Sequence, residues 1–136
     1  MAVSQPYGAV TETFVAELRA AVGDEHVRVD AGSRATYGTD ALRKGHPADV
    51  VVFPGSTEEV SAVLRACTAH RVPVVPRGAG TGYTGGAVPT SGGVVLALQR
   101  LDRILEVDER NLLAVVQCHV VTGVLQQAVE AVGLFY

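Results

Sequence analysis

The chain has 136 residues, 48% hydrophobic and 18% charged, with a formal net charge of −3. That composition excludes a disordered chain, which could not bury a core. It also excludes nucleic-acid binding through a broad positive field, because no Lys/Arg cluster lies along any one face. Two cysteines, Cys67 and Cys118, build neither a disulfide framework nor a zinc ligand set, and a reducing cytoplasm is the expected compartment. The longest apolar runs span about five residues, against the ~18 that a membrane span requires.

In chain order, the opening MAVSQPYGAV lacks a basic segment followed by an apolar one, so no signal peptide is expected. Thr11 to Val22 predicts a helix with Phe14, Val15, Leu18, Ala21 and Val22 on one stripe and Gly23 at the C-cap position. Residues 1–30 are expected as an N-terminal helical segment and residues 31–136 as the main unit. Residues 31–48 (AGSRATYGTDALRKGHPA) form a connecting region with room for one short helical turn. Within it, Tyr37 and Asp40 are expected to fix a turn. Asp49 to Phe53 is a continuous β-branched run that predicts a buried strand. Ser56-Thr57-Glu58-Glu59 is a capping box, and the helix it opens carries Val60, Val63, Leu64 and Cys67 on its core face. Pro73 to Pro76 predicts a second short buried strand. Strand, helix and strand over about 25 residues predict a right-handed parallel βαβ unit.

After a glycine-rich stretch the pattern changes. Gly93 to Leu98 is a strand, and Ile104 to Asp108 and Leu112 to Cys118 flank Glu109-Arg110-Asn111 as an antiparallel pair would. Thr122 is expected to cap a helix with Val124, Leu125, Ala128, Val129 and Val132 on its stripe and Gly133 at its end. The expected fold is α+β: a small parallel βαβ lobe followed by an antiparallel sheet lobe with helices. The chain stops on Leu134-Phe135-Tyr136, three large apolar residues just past a helix, which points to a truncated unit that self-associates through an uncovered face.

The candidate site is the stretch Val75 to Gly93, with seven of the chain's 15 glycines. Gly80-x-Gly82-x-x-Gly85 satisfies the dinucleotide fingerprint on paper. That fingerprint needs a helix directly behind the loop, and Ala87-Val88-Pro89-Thr90-Ser91-Gly92-Gly93 is a poor helix. A P-loop is discarded, because Gly86-Ala87 stands where Lys-Ser/Thr should be. A third reading uses the loop itself. Glycines at φ > 0, expected at Gly80 and Gly82, let successive N–H groups gather on one anion with no Cβ in the way. The bland alternative is a turn that merely connects two strands. A non-enzymatic nucleotide- or anion-binding module stays open beside an enzyme.

Pro76-Arg77-Gly78-Ala79-Gly80-Thr81-Gly82-Tyr83-Thr84-Gly85-Gly86, taken with Leu101-Asp102-Arg103-Ile104-Leu105-Glu106-Val107-Asp108, resembles the FAD-binding domain of the vanillyl-alcohol-oxidase (PCMH-type) flavoproteins. The likeness is nearest to glycolate oxidase flavin subunits and D-lactate dehydrogenases, and it runs from about Ala31 to Tyr136 through Phe53-Pro54-Gly55-Ser56-Thr57-Glu58-Glu59-Val60. The resemblance implies an incomplete PCMH-type FAD-binding domain in which residues Pro76 to Gly86 hold the cofactor diphosphate. It further implies oxidation of a 2-hydroxy acid by hydride transfer to FAD, a substrate domain beyond this chain, and a quinone, cytochrome, partner subunit or oxygen as the electron acceptor. Branches that bind flavin covalently through this loop have a histidine where Thr81 stands, so non-covalent FAD is implied. Gln117-Cys118-His119 replaces the usual Pro-Gly or Ala-Gly after the second antiparallel strand. The family's next cofactor stretch would begin just past Tyr136.

Individual side chains carry weaker signals. Arg77 either reaches a phosphate or stays solvated. Tyr83 either packs on the flavin or ribose or wedges the loop, and the wedge is the expectation. Cys118 is expected as a buried thiol beside a surface imidazole, His119, rather than a metal pair, because adjacent strand residues point to opposite faces. His26, His46 and His70 are expected as solvated or loop histidines.

Overall fold

The computed structural model describes residues 7–136. The reading of the first residues as free of a leader therefore falls largely outside the described residues. Helix α1 spans Glu12–Val22 and starts where Thr11, its N-cap, accepts a hydrogen bond from the Phe14 N–H at 3.2 Å. It ends at Gly23, whose φ of 93° suits a residue without a Cβ. The expected stripe is the buried one: Phe14, Leu18 and Val22 enter the core.

The connecting region holds more structure than its sequence signals. Helix α2, Ala31–Tyr37, is seven residues long, and the Asp30 carboxylate caps it by accepting from Ser33 N at 2.8 Å. No α2 residue is buried, so no apolar stripe announces the helix. The two-residue strand β1, Val27–Arg28, is too short to show a period, yet it pairs antiparallel with β2.

Strand β2, Val50–Val52, is fully buried, as its β-branched run predicts. Helix α3, Thr57–His70, opens on the expected capping box: Ser56 Oγ accepts from Glu59 N at 3.2 Å. Backbone hydrogen bonding and the Ser56 hydroxyl hold the Glu58 carboxyl below its ordinary range. Val63 and Cys67 are buried, but Leu64 is exposed, so the core stripe is narrower than expected. His70 is more than a surface histidine. Its ring lies 5.0 Å from that of Phe14, and its Nε2 sits 3.0 Å from the Glu17 carboxylate, joining α3 to α1.

Strands β3 (Val74–Arg77) and β4 (Val94–Ala97) complete a four-stranded sheet in the order β1-β2-β4-β3. Strands β2 and β3 are parallel members of one sheet, but β4 lies between them and pairs parallel with both. The fully buried β4 takes the centre. β3 is the edge and is only half-buried, which corrects the expectation of a second buried strand. Pro76 explains the placement, because a residue without an N–H is tolerated at a sheet edge. Alternation then splits the sheet into two faces. Val50, Val52, Val94 and Leu96 meet α1 and α3, whereas Val51, Phe53, Val95 and Ala97 meet Tyr37.

Strands β5 (Ile104–Asp108) and β6 (Leu113–Val116) form a separate antiparallel pair with a register shift between Ile104 and Glu106. Helix α4, Thr122–Glu130, has Val121 at its N-cap with no side-chain bond. Thr122 is therefore the first helical residue and not the expected cap. Leu125 and Val129 are buried, and Gly133 at φ 78° closes the helix with Leu134 N donating to Val129 O at 3.0 Å. The architecture is the expected α+β one, a parallel-stranded lobe and an antiparallel lobe. No helix among the described residues is long and apolar enough to cross a membrane.

Candidate functional site

Adjacent parallel strands need a crossover, usually a helix. Between β3 and β4 the crossover is residues 78–93, and it contains turns and bends but no helix. The dinucleotide fingerprint therefore lacks the element that would make it a Rossmann site. The glycine loop leaves β3 at the carboxyl edge of the sheet, where open α/β sheets bind ligands.

Both ends of this loop are pinned. At the far end, Gly93 N donates to Asp49 Oδ2 at 2.6 Å, and Asp49 N donates to Gly93 O at 2.9 Å. Gly92 and Gly93 have φ of 68° and 78°. A Cβ on Gly92 would lie 2.5 Å from Asp49 Oδ2, and one on Gly93 would overlap the Pro73 carbonyl. At the near end, Arg77 Nη1 donates to the carbonyls of Tyr37, at 3.4 Å, and of Thr39. Its guanidinium also lies 5.6 Å from the Tyr37 ring centroid. Arg77 is thus neither solvated nor extended away from the protein. In the middle, Gly82 O accepts from Ala41 N at 3.3 Å.

Ala41 belongs to a turn that Asp40 builds. The buried Asp40 carboxylate accepts from Leu42 N at 2.9 Å, and Arg43 N donates to Asp40 O at 3.0 Å. Tyr37 is fixed by an edge-on contact with Phe53 (5.1 Å, 87°) and by donating to Gln99 Oε1 at 2.9 Å. Asp40 holds a turn, as expected, whereas Tyr37 ends α2 and ties it to the sheet instead of fixing a turn. Asp49, Ala41 and the Gly92-Gly93 pair were not visible as site supports. The one signal for them is a doubled glycine directly before a buried β-run.

The loop's own amides are the notable feature. Among the described residues, no backbone N–H from Gly78 to Ala87 donates to a protein acceptor. Most of this run is exposed. Gly80 and Gly85 are left-handed, with φ of 72° and 77°, but Gly82 is not, which corrects the expectation for that residue. A Cβ on Gly78, Gly82 or Gly86 would meet nothing within 4 Å. Those three glycines leave open space above the loop, and no packing among the described residues demands them. Tyr83 is 71% exposed and does not wedge the loop. It lines a depression of about 470 Å³ with Gly85 and Val88 on one side and Leu42, Lys44 and His46 on the other.

Next to the site, Gly55 N donates to Glu59 Oε2 at 2.6 Å, and Arg100 Nη1 joins Phe53 O at 2.7 Å to the same carboxylate at 3.2 Å. Cys118 is exposed and His119 half-buried, the reverse of the expected arrangement. Cys67 is the buried thiol, and burial pushes it up to about 11.

An array of unbonded amides with glycine clearance fits the diphosphate of a dinucleotide. Such groups offer donors to a dianion and no side chain to block its approach. Comparisons with known proteins place the chain as a whole in a cofactor-binding family. Residues 48–136 match the family model described as FAD binding domain. The glycolate oxidase subunit GlcD of Bacillus subtilis (strain 168) is 41% identical over 128 residues, covering 93% of this chain and 27% of that protein. A probable mitochondrial D-lactate dehydrogenase of Danio rerio is 34% identical over 129 residues, covering 94% of this chain and 26% of that protein. The chain thus spans about a quarter of the length of the curated relatives it matches. Among solved structures, 4-ethylphenol oxidase from Gulosibacter chungangensis superposes with a TM-score of 0.78 at 32% identity, covering 89% of this chain and 24% of that one. p-Cresol methylhydroxylase also gives a TM-score of 0.78, at 25% identity, over 93% of this chain and 26% of that one. The chain therefore belongs to the FAD binding domain family, as a PCMH-type domain related to glycolate oxidase and to D-lactate and D-2-hydroxyglutarate dehydrogenases.

Proposed function

We propose that this chain supplies the FAD-binding part of an oxidoreductase that oxidises a 2-hydroxy acid of the glycolate or D-lactate type. The observation that carries the reading is the run of amides from Gly78 to Ala87 with no protein acceptor among the described residues. In this reading residues Pro76 to Gly86 hold the FAD diphosphate, residues 31–136 form the amino-terminal part of the FAD domain, and residues 1–30 are the N-terminal segment that carries α1 and β1. Bound FAD supplies the two-electron acceptor for a hydride from the substrate carbon. This chain's residues bind and orient the cofactor and keep the diphosphate end fixed. Thr81 offers no imidazole for a covalent bond, so the cofactor is held non-covalently. The relatives' names, glycolate oxidase and D-lactate dehydrogenase, support the substrate class. In this reading the substrate domain lies outside this chain, and any electron-transfer subunit is a separate partner.

Exposed Leu105, Leu113, Val115, Phe135 and Tyr136 surround the antiparallel pair and the end of α4. On its own the 136-residue chain is expected to self-associate through this face; a clean monomer by light scattering contradicts that. The test of function is cofactor content. The intact protein should carry a visible flavin spectrum and regain it from free FAD after stripping. Colourless protein that takes up no FAD overturns the reading. Binding of ADP as tight as that of FAD favours a nucleotide-binding module without flavin chemistry.

A further inference from the structure

The amides from Gly78 to Ala87 make no bonds among the described residues, so something other than their own hydrogen bonds must set the shape of this run. Arg77 is a charged side chain that reaches back beneath it. Its Nη1 is committed to the Tyr37 and Thr39 carbonyls, and its plane stands over the Tyr37 ring. Tyr37 is itself locked by Phe53 and Gln99. The space that a Gly80 side chain would occupy is filled by the Arg77 Nη2 and Cζ atoms. Gly80 is half-buried and left-handed, unlike the open Gly78, Gly82 and Gly86.

We infer that Arg77 is the positioning residue of the cofactor loop: its guanidinium, clamped to the end of α2, holds Gly80 in its left-handed bend and so keeps the neighbouring amides turned out for a diphosphate. The inference rests on the proposed role of the loop in holding FAD. Glycine is needed at position 80 for two reasons, its φ and the guanidinium under it. Lysine is a poor substitute at position 77, because its ammonium lacks the guanidinium plane that lies over the Tyr37 ring and fills the space beneath Gly80 while Nη1 reaches both carbonyls.

The test is a thermodynamic cycle on FAD affinity in the intact protein, with Arg77→Ala, Arg77→Lys, Gly80→Ala and Arg77→Ala/Gly80→Ala, each read by flavin fluorescence on titration of stripped protein. Thermal unfolding without cofactor is measured alongside. Arg77→Ala, Arg77→Lys and Gly80→Ala are each expected to weaken FAD binding about 10-fold or more, as loss of preorganisation does. The double variant should bind little worse than Arg77→Ala alone, because the two residues act through one contact. A role in stability alone would lower the unfolding temperature and leave the FAD affinity of the folded fraction unchanged. Gly86→Val separates the inference from the reading beneath it. If Gly86→Val loses FAD while Arg77→Ala and Arg77→Lys retain it, the positioning role falls and the diphosphate loop stands. If all of them bind FAD normally, the loop reading falls as well. If Arg77→Ala does not fold, Gly80→Ala decides, since it displaces the guanidinium without removing it; full FAD affinity in Gly80→Ala then overturns the inference.

Discussion

Two glycines of one loop should respond to the same substitution in opposite ways. Gly93 is buried, has φ of 78°, and faces the Pro73 carbonyl that also accepts from Val94 N at 2.9 Å. Alanine there costs about 1–2 kcal/mol for the left-handed backbone. Relieving the overlap must shift the start of β3 or β4, as overpacking does, at about 1–3 kcal/mol. The stiffer unfolded chain returns only about 0.4–1 kcal/mol. The net loss is about 1–4.5 kcal/mol, a substantial part of a typical domain's total of about 5–15 kcal/mol. Gly82 is exposed, is not left-handed, and its added methyl meets nothing, so Gly82→Ala should stay within about 0.5 kcal/mol of wild type. Denaturant midpoints of the cofactor-free intact protein read the first difference, and FAD titration reads the second. Gly93→Ala should lower the midpoint. Gly82→Ala should leave it in place yet weaken FAD binding, because the methyl stands between the amides and the ligand. An unchanged midpoint for Gly93→Ala would refute the packing argument, and unchanged FAD affinity for Gly82→Ala would refute the clearance argument.

Other outcomes follow from single contacts. Ser56→Ala removes the side-chain cap of α3 and should cost about 1 kcal/mol, read as a lower unfolding midpoint, with Ser56→Asp largely restoring it. A thiol reagent near neutral pH should modify Cys118 and spare Cys67 until the protein unfolds. Burial raises Cys67 from 9.0 to about 11, so its contribution to stability is full below pH 9 and lost as pH rises toward 11; a flat unfolding midpoint over that range, after correction with Cys67→Ala, would contradict it. The Ser33 amide and hydroxyl lower the Asp30 carboxyl, so its support of α2 is present above its ordinary 3.8 and lost as pH falls through the lowered value. An acid unfolding curve that Asp30→Asn leaves unshifted would contradict that.

Elements that bury a face alone were legible, and elements defined by distant partners were not. Helices α1 and α3 show their stripes and caps in sequence, and β2 shows as a β-branched run. Helix α2 has no fully buried residue and packs on the sheet through Tyr37 alone among its apolar side chains, so its one clear signal is Asp30, three residues before Ser33. The seat of β4 between β2 and β3 is a pairing decision that neither strand's own residues encode. Thr122 has a good capping side chain, but the backbone places Val121 at the cap. In the site, the glycine count pointed to the loop, but which glycines are left-handed depends on contacts from elsewhere. Gly80 bends over a guanidinium that is held 38 and 40 residues back along the chain, while Gly82 is tied only through its carbonyl.

A loop without a helix behind it must meet its ordering cost in another way. Fixing ten residues costs roughly 10–20 kcal/mol if they are loose beforehand, at about 1–2 kcal/mol each. Three or four hydrogen bonds to a dianion return on the order of 5–10 kcal/mol, at about 1.5–3 kcal/mol each. Binding energy therefore cannot order this loop, so it must be ordered already. The pins supply that order: Asp49 at Gly93, Ala41 at Gly82 and Arg77 under Gly80. Each pin uses a carbonyl, a side chain or an amide outside residues 78–87, so the loop is held without using any N–H of that run. A helix N-terminus leaves its first amides unbonded as a by-product of its geometry, whereas here the rest of the lobe does so by gripping the loop from beneath.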